Sequence, residues 1–346
     1  MVKFTILAGG YTSYIASYMF NSETNNLTYL NQYITGGNPS WIISHLRTRV
    51  FFMQPTRTSL QAHYNHSRSG PEGALTLVDT AYSGGSGPPY CGGLSTGQVA
   101  IANYGSGTAR VIPTTTDPLH FSTNDSTIVT FPVPTTGTQG VSEPHMAYQY
   151  GEELLIPDKG NDKIWRLGQN GSQVTSRYTV KSRSRSAAAH GTFRFTHTEN
   201  QLYTVHELAS TLTLQDFPAY PNFSTPLISN VPLSPQYQPA GSSFAGAEVL
   251  IPLPTAEFPT PYIYTSNRNH WCTGPTNQVY TGLDQIRGMM HGQQAGEGGD
   301  AYIVAAGMRG TAGVKVFKRT EGGANLEEVA VNTELPTRTS FVWLKQ

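Results

Sequence analysis

The sequence is poor in charged residues and has no excess of either sign. Lys and Arg together number 22, as do Asp and Glu, so the formal net charge is zero. Charged residues make up 13% of the chain, against roughly 25% in an average globular protein. Recognition of nucleic acid through its phosphates requires concentrated positive charge. The composition therefore argues against nucleic acid as a partner.

Cysteine and long apolar runs are also scarce. Cys91 and Cys272 are the only cysteines, too few for a cysteine-based zinc site or a disulfide framework. We expect two packed thiols, with one long-range bridge as the alternative. The sequence has no apolar run of 18 residues, so no membrane span is expected.

The cellular compartment is only weakly indicated. The apolar start is interrupted by Gly9 and Gly10, and we interpret it as a strand and turn rather than a signal peptide. A cytoplasmic protein is therefore expected. Low charge and five N-x-S/T sequons favour secretion as the alternative; the sequons begin at Asn26, Asn65, Asn124, Asn170 and Asn222.

The sequence is rich in strand-forming segments that recur with a period of roughly 45 to 55 residues, the length of one propeller blade. Each unit opens with a short apolar strand, followed by a second that ends in a polar residue, an alternating third and a variable fourth. The predicted opening strands are Ser40–Ile43, Pro89–Leu94, Pro144–Tyr148, Gly191–Phe195, Gly246–Leu250, Arg287–His291 and Thr339–Leu344.

The second strands are clearer, because they are β-branched and aromatic runs bounded by turn residues. They are Phe4–Ala8, Val50–Met53, Val99–Asn103, Leu154–Asp158, Leu202–Glu207, Tyr262–Asn267 and Tyr302–Ala306. No sustained helical apolar stripe occurs. The sequence therefore predicts an all-β protein.

The two ends of the chain complement each other. The N-terminus supplies a second, third and fourth strand, whereas Thr339–Leu344 is an opening strand without followers. Pairing them would close the ring and remove exposed sheet edges. We predict a single seven-bladed β-propeller that occupies residues 1–346 as one domain.

Propeller geometry brings certain polar residues together at one mouth of the central channel. The start of each first strand and the end of each second strand lie on the same face, so polar residues there form a concave site for a small ligand. The residues at these positions are His145, Glu248, Gln54, Asn103, Asp158, Glu207 and Arg268.

Glu207, Arg268 and His145 are the predicted catalytic residues. An acid at the end of a buried strand is expected to be either paired or functional, and Arg268 can pair with Glu207 or bind a carboxylate. His145 can titrate near neutrality. Each of the three has a structural alternative, in a salt bridge or a turn. The predicted substrate-binding residues are Glu248, Asn103, Asp158, His190, Arg194 and His291.

The remaining sequence features are weaker evidence for a function. His206 adjoins Glu207 and should point the opposite way by strand alternation. The histidines show no metal-ligand spacing, so no metal is expected. No nucleophile elbow or phosphate-binding loop is present.

Short pieces in consecutive repeats carry a family resemblance. They read Asn38-Pro39-Ser40-Trp41, Ala102-Asn103-Tyr104-Gly105, Pro144-His145, Pro157-Asp158-Lys159-Gly160, His206-Glu207-Leu208, Ala247-Glu248 and Ser266-Asn267-Arg268. In order and spacing they resemble the seven-bladed lactonase family, which includes bacterial-type 6-phosphogluconolactonases and the fungal 3-carboxy-cis,cis-muconate lactonising enzyme. The resemblance covers nearly the whole chain.

The resemblance implies an active site of a His, a Glu and two Arg. His145, Glu207 and Arg268 match three of these positions. The second Arg belongs at the start of the strand that opens the Glu207 blade, where this sequence has His190-Gly191-Thr192. Arg194 lies three residues beyond Gly191, in a different register.

The resemblance also implies a cofactor-free, metal-independent reaction that opens or closes a lactone. In lactonisation, Arg268 would hold a carboxylate and His145 or Glu207 would donate a proton, with His145 favoured because Arg lowers the pKa of a neighbouring carboxyl. In hydrolysis the same pair would activate water and Arg268 would stabilise the oxyanion. A phosphorylated substrate is not expected, because few basic residues fall at the predicted mouth. The alternatives are a non-enzymatic binding propeller and a different isomerase or lyase reaction.

Overall fold

Short antiparallel strands account for almost all regular structure in the protein. A computed structural model describes residues 2–44, 50–56, 59–65, 74–117, 120–122, 126–134, 140–170, 173–181, 192–195, 200–217, 226–233, 244–268 and 277–344. The strands within these ranges form seven separate sheets, each of which is one blade.

The first four blades follow one another along the chain. Blade 1 contains β1 (Lys3–Gly9), β2 (Tyr14–Asn21) and β3 (Asn26–Ile34); blade 2 contains β4 (Ile42–Ser44), β5 (Val50–Thr56), β6 (Ser59–Asn65) and β7 (Leu75–Tyr82). Blade 3 contains β8 (Tyr90–Gly93), β9 (Val99–Asn103), β10 (Thr108–Ile112) and β11 (Ile128–Thr130). Blade 4 contains β12 (Tyr148–Tyr150), β13 (Glu153–Asp158), β14 (Lys163–Asn170) and β15 (Gln173–Lys181).

The remaining blades return to the start. Blade 5 contains β16 (Thr192–Phe195), β17 (Gln201–His206), β18 (Thr211–Asp216) and β19 (Leu227–Pro232), and blade 6 contains β20 (Ala245–Leu250) and β21 (Tyr264–Arg268). Blade 7 contains β22 (Asp284–His291), β23 (Tyr302–Arg309), β24 (Val314–Thr320) and β25 (Asn325–Asn332). Three short 3₁₀ turns cover Gly292–Ala295, Gly299–Ala301 and Glu321–Gly323, and β26 (Ser340–Trp343) is the last strand.

The ring closes as the sequence predicts. β26 pairs antiparallel with β1 and is the first strand of blade 1. Around the channel β22 contacts β26, β26 contacts β4, and β4 contacts β8. The prediction of a seven-bladed propeller closed by its C-terminal strand is therefore confirmed.

The largest hydrophobic cluster lies where the two ends of the chain meet. Phe4 and Phe20 of blade 1 pack with Tyr302 of blade 7 and with Trp343, whose ring centroid is 5.6 Å from that of Phe4. Burying an aromatic side chain of this kind contributes on the order of 1.5–3 kcal/mol. Ring closure is therefore held by packing as well as by strand pairing.

The segment that follows the second strand of blade 6 is shorter than its counterpart in blade 7. Only residues 269–283 separate β21 from β22, whereas 310–339 separate β23 from β26 and hold two further strands. The described residues of blade 6 form two strands. An apolar cavity of about 460 Å³ lies beyond them, lined by Leu214 and Val231 of blade 5 and by Ile303 and Phe317 of blade 7.

The opening strand of blade 4 begins later than its sequence pattern indicates. β12 starts at Tyr148, and Pro144 makes only an isolated bridge with Asp158. Proline has no N–H to contribute to a strand ladder, so the chain at this point cannot pair as a regular strand.

Two further expectations concern cysteine and membranes. Cys91 is buried in β8, and Cys272 lies outside the described residues, so the alternative of a bridge stays untested. Among the helices of the described part, none has the length and apolar character needed to cross a membrane.

Candidate active site

Two of the strands that line the channel carry a β-bulge. In β20 the register to β21 shifts between Gly246 and Val249, and in β22 the register to β23 shifts between Ile286 and Gly288. A bulge inserts an extra residue and turns a side chain out of the regular alternation. The bulged residues Glu248 and Arg287 accordingly both line one pocket at the channel mouth.

The pocket combines aromatic walls with charged groups. Trp41 and Tyr90 form one wall, with ring centroids 4.8 Å apart. His145, Arg268 and Arg287 supply the polar surface along with Glu248. A mostly apolar cleft with a few convergent polar groups is typical of a small-molecule site.

The ends of the second strands follow a repeated two-residue pattern. In blades 3 to 6 a buried polar residue is followed by a residue that takes part in the polar network at the mouth. The buried residues are Asn103, Asp158, His206 and Asn267, and those that follow are Tyr104, Lys159, Glu207 and Arg268. Successive side chains of a strand point in opposite directions, which explains the division of roles.

The buried members bind backbone and loop groups within the protein. Asn103 donates through Nδ2 to the carbonyl of Ser83 at 3.0 Å, and Asn267 donates to that of Leu233 at 3.1 Å. The Asp158 carboxylate accepts from the backbone N–H of Glu143 at 2.8 Å. These side chains hold the preceding loops against the strand ends.

The residues that come after the buried ones, Tyr104, Lys159, Glu207 and Arg268, form a chain of contacts around the channel mouth. Lys159 donates through Nζ to the Tyr104 hydroxyl at 2.9 Å and lies 3.2 Å from a carboxylate oxygen of Glu143. Arg268 donates through Nη1 to Oε1 of Glu207, and both side chains are largely buried. Burial lowers the pKa of Lys159, but the hydrogen bond to Tyr104 and the charges of Glu143 and Glu207 outweigh it, so the pKa is raised. The Lys159–Glu143 pair and the Arg268–Glu207 pair therefore belong to one electrostatic network.

His145 is joined to this network through Tyr104. Its backbone N–H donates to the carbonyl of Pro157 at 3.0 Å, which fixes the chain beside the end of β13. Its ring packs edge-on against Tyr104, with centroids 6.1 Å apart. Burial raises the pKa of the Tyr104 phenol, so the phenol stays protonated next to His145.

Arg268 sits between opposing charges. Burial lowers its pKa, the Glu207 carboxylate opposes that effect, and Arg287 lowers the pKa further, with a net lowering. Glu207 therefore stabilises the charge of Arg268, whereas Arg287 destabilises it.

The predicted substrate-binding residues do not all lie at the pocket. Glu248 lines the pocket, and its Oε1 accepts from the backbone N–H of Val249 at 3.3 Å. Asn103 and Asp158 face inward and do not line the pocket, because each lies one residue before the mouth-facing position. His291 caps the turn at Gly292–Ala295, and burial lowers its pKa to about 4.

The other predicted positions are less informative. Arg194 lies in β16, opposite Tyr203, and Gln54 lies in β5. His190 is outside the described residues. His206 turns away from the mouth as predicted, 2.8 Å from the Thr213 hydroxyl through Nε2. In the described part of the chain no three His, Cys, Asp or Glu side chains converge as metal ligands would.

The sequence analysis did not identify Tyr104, Lys159 or Arg287 as site residues. It therefore expected fewer positively charged side chains at the channel mouth than the structure has. A signal for the first two was present, because each directly follows a polar residue at the end of a second strand, as Glu207 follows His206. Arg287 gave no such signal, because its position depends on the bulge in β22.

A family model described as a seven-bladed β-propeller lactonase matches residues 5–280. Among curated proteins, no sequence matches this chain. Solved structures that are similar include a putative 6-phosphogluconolactonase from Bacteroides fragilis, 18% identical, with a TM-score of 0.79 over 99% of this chain and 98% of the other. A periplasmic gluconolactonase from Pseudomonas aeruginosa is 15% identical, with a TM-score of 0.79 over 99% of each chain. At these identities the likeness of the structures concerns the fold.

Proposed function

The chain belongs to the seven-bladed β-propeller lactonase family, and from this premise we propose that it is a cofactor-independent lactonase. Its substrate is a small lactone that binds at the channel mouth, its catalytic residues are His145 and Arg268, and Glu207 positions Arg268. The observation that carries the proposal is the mouth pocket in which His145 and Arg268 face one cavity while Glu207 holds Arg268.

Hydrolysis of a lactone needs a base, a water molecule and a group that stabilises negative charge. In the proposed step His145 removes a proton from water as the oxygen attacks the ring carbonyl carbon. The resulting oxyanion lies against the Arg268 guanidinium, which is already charged and desolvated. Collapse of the tetrahedral intermediate breaks the ring C–O bond, and His145 returns its proton to the leaving alkoxide. The product is the open hydroxy acid.

Glu207 has a positioning role in this scheme. Burial lowers the pKa of Arg268 and the Glu207 carboxylate opposes that effect, so Glu207 offsets the cost of burying the guanidinium charge and fixes its orientation. Tyr104 has a similar role toward His145, because its ring packs edge-on against the imidazole.

A second reaction, lactone formation from an unsaturated acid, can use the same groups. In a lactonising reaction of the carboxymuconate type, Arg268 would orient the attacking carboxylate and His145 would protonate carbon. This reaction adds a carboxylate across a carbon–carbon double bond and consumes no water, so it is a different reaction from hydrolysis, and the substrate panel distinguishes the two.

The test is a panel of lactones and cis,cis-muconates, followed by pH change and ultraviolet absorbance with EDTA present. We expect turnover of at least one lactone, and a loss of about 100-fold or more in kcat for His145→Gln. His120→Gln is the matched control, since the His120 side chain is 53% exposed and remote from the pocket. Absence of turnover across the panel, or full activity in the His145 variant, would refute the proposal.

A further inference from the structure

Arg287 is the second arginine of the mouth pocket. It reaches the pocket from the bulge of β22 in blade 7, next to Tyr11 in the loop between β1 and β2. The family resemblance implies a second Arg at the start of the strand that opens blade 5, where this sequence has His190-Gly191-Thr192. Arg287 enters from a different blade, so it does not occupy the expected place.

The hydrogen bonds of Arg287 leave part of its guanidinium unused. Nη1 donates to the Tyr11 hydroxyl at 2.9 Å, and the guanidinium carbon is 5.8 Å from the centre of the Tyr11 ring. Nε is shielded from solvent and has no acceptor among the described residues. A buried donor without an acceptor destabilises the protein, and an incoming acceptor would remove that cost.

Arg268 has a carboxylate partner that balances its positive charge, and Arg287 differs from it in this respect. Within the described ranges Arg268 forms an ion pair with Glu207, whereas no carboxylate lies within ion-pair distance of Arg287. The two guanidinium groups are close enough for Arg287 to lower the pKa of Arg268. Glu248, the acid that lines the pocket among the described residues, is 2% exposed and accepts from its own strand.

The unused edge of the guanidinium determines which ligand fits. With Nη1 engaged by Tyr11, the Nε–Nη2 edge can donate two parallel hydrogen bonds, which match the two oxygens of a carboxylate. The same edge also fits a phosphate, but one unpaired guanidinium balances a single carboxylate charge and only half the charge of a phosphate dianion. The rings of Trp41 and Tyr90 give the carbon skeleton an apolar surface in the same pocket.

We propose that Arg287, held by Tyr11, is a specificity-determining residue that binds a carboxylate of the substrate separate from the reacting ring ester. The substrate class is then a lactone that carries one free carboxylate. The identity of the ring rests on the proposed function, but the carboxylate subsite does not.

The test compares a γ-butyrolactone carboxylate with its methyl ester, which has the same ring without the charge. Binding is measured by calorimetry and turnover by pH change, for wild type, Arg287→Gln and Tyr11→Phe. The matched control is Arg309→Gln, the same change at an exposed residue of β23 in the same blade. Circular dichroism establishes that each variant is folded.

We expect wild type to bind the carboxylate about 10- to 100-fold more tightly than the ester, the range for charge-assisted hydrogen bonds. Arg287→Gln should remove that preference and change ester binding by less than about twofold, and Tyr11→Phe should reduce the preference. Arg309→Gln should leave it unchanged.

Two results separate this proposal from the lactonase itself. If neither compound is turned over but wild type prefers the carboxylate and Arg287→Gln does not, the subsite stands and the reaction is wrong. If wild type shows no preference for the carboxylate, or Arg287→Gln weakens both compounds equally, the subsite is wrong even where turnover is found.

Discussion

Glu207 and Arg268 lie 61 positions apart in the sequence and form an ion pair between the ends of the second strands of blades 5 and 6. The contact spans two blades, so it depends on the closed ring rather than on either sheet alone. A second pair, Glu153 with Arg166, is more deeply buried and lies within blade 4. The two pairs therefore allow function and stability to be separated.

Substitution of the Glu207–Arg268 pair should affect turnover and stability differently. Glu207→Gln and Arg268→Gln should each lower kcat by about 100-fold or more, because oxyanion stabilisation is lost. Each should also cost about 1–3 kcal/mol in the free energy of unfolding, since one buried charge loses its partner. The double variant should recover stability but not turnover.

Glu153→Gln is the control for this cycle. It should destabilise the protein in urea while leaving kcat per folded molecule unchanged. A double variant of Glu207 and Arg268 that regains activity would show that the pair is structural.

Tyr104 should act on the reaction without contacting the substrate. Tyr104→Phe keeps the ring against His145 but removes the hydroxyl that accepts from Lys159. We expect kcat to fall by about 10-fold, the equivalent of one lost hydrogen bond between Lys159 and the ring that packs on His145, with KM nearly unchanged and the pH–rate profile displaced. Tyr280→Phe is the control, because Tyr280 is 58% exposed. An equal rise in KM with no change in kcat would assign Tyr104 to substrate binding instead.

The fold was more predictable than the site because its signal is repeated. Runs such as Val99–Asn103 and Tyr302–Ala306 predict strands from local composition, and the orphan strand at Thr339–Leu344 predicts ring closure. Blade 6 deviates because its sequence between β21 and β22 is short. Counting the residues after Arg268 is enough to detect this.

Part of the site could be predicted because a propeller fixes the direction of side chains at strand ends. Glu207 and Arg268 stand at strand ends, where propeller geometry gives each residue a direction. Asn103 and Asp158 stand one position too early, and a shift of one residue reverses the facing of a strand side chain. Arg287 depends on a bulge next to Gln285, whose φ of 56° is positive, and composition does not indicate such a backbone conformation.

Ring closure should contribute strongly to stability. Trp343 is 3% exposed, packs on Phe4 and donates through Nε1 to the carbonyl of Met290 at 3.2 Å. Trp343→Ala should lower the free energy of unfolding by about 3–5 kcal/mol, the cost of a large cavity. Val331→Ala, at a site 45% exposed in β25, should change it by less than about 0.5 kcal/mol. Urea denaturation measures both, and equal small losses would mean that the closing strand is not needed for stability.

Stability should fall with pH below the ordinary titration range of histidine. Burial lowers the pKa of His206 from 6.5 to about 4, so the unfolded chain binds a proton near pH 6.5 while the folded chain does not. The contribution is therefore complete above pH 6.5 and is lost as the pH falls toward 4, with about 2 kcal/mol lost by pH 5. His291, whose pKa burial also lowers to about 4, should add a similar loss.

His206→Asn tests whether His206 causes this pH dependence of stability. Asn is a suitable replacement because Asn103 and Asn267 occupy the equivalent position in blades 3 and 6. Urea titrations at pH 7.5 and pH 5 should show a stability difference that is smaller in the variant than in wild type by about 2 kcal/mol. His120→Asn, at a half-exposed site, should leave the difference unchanged. Because the readout is a difference between two pH values, any loss of packing common to both cancels. If His206→Asn retains the whole pH dependence of wild type, His206 is not the group that titrates.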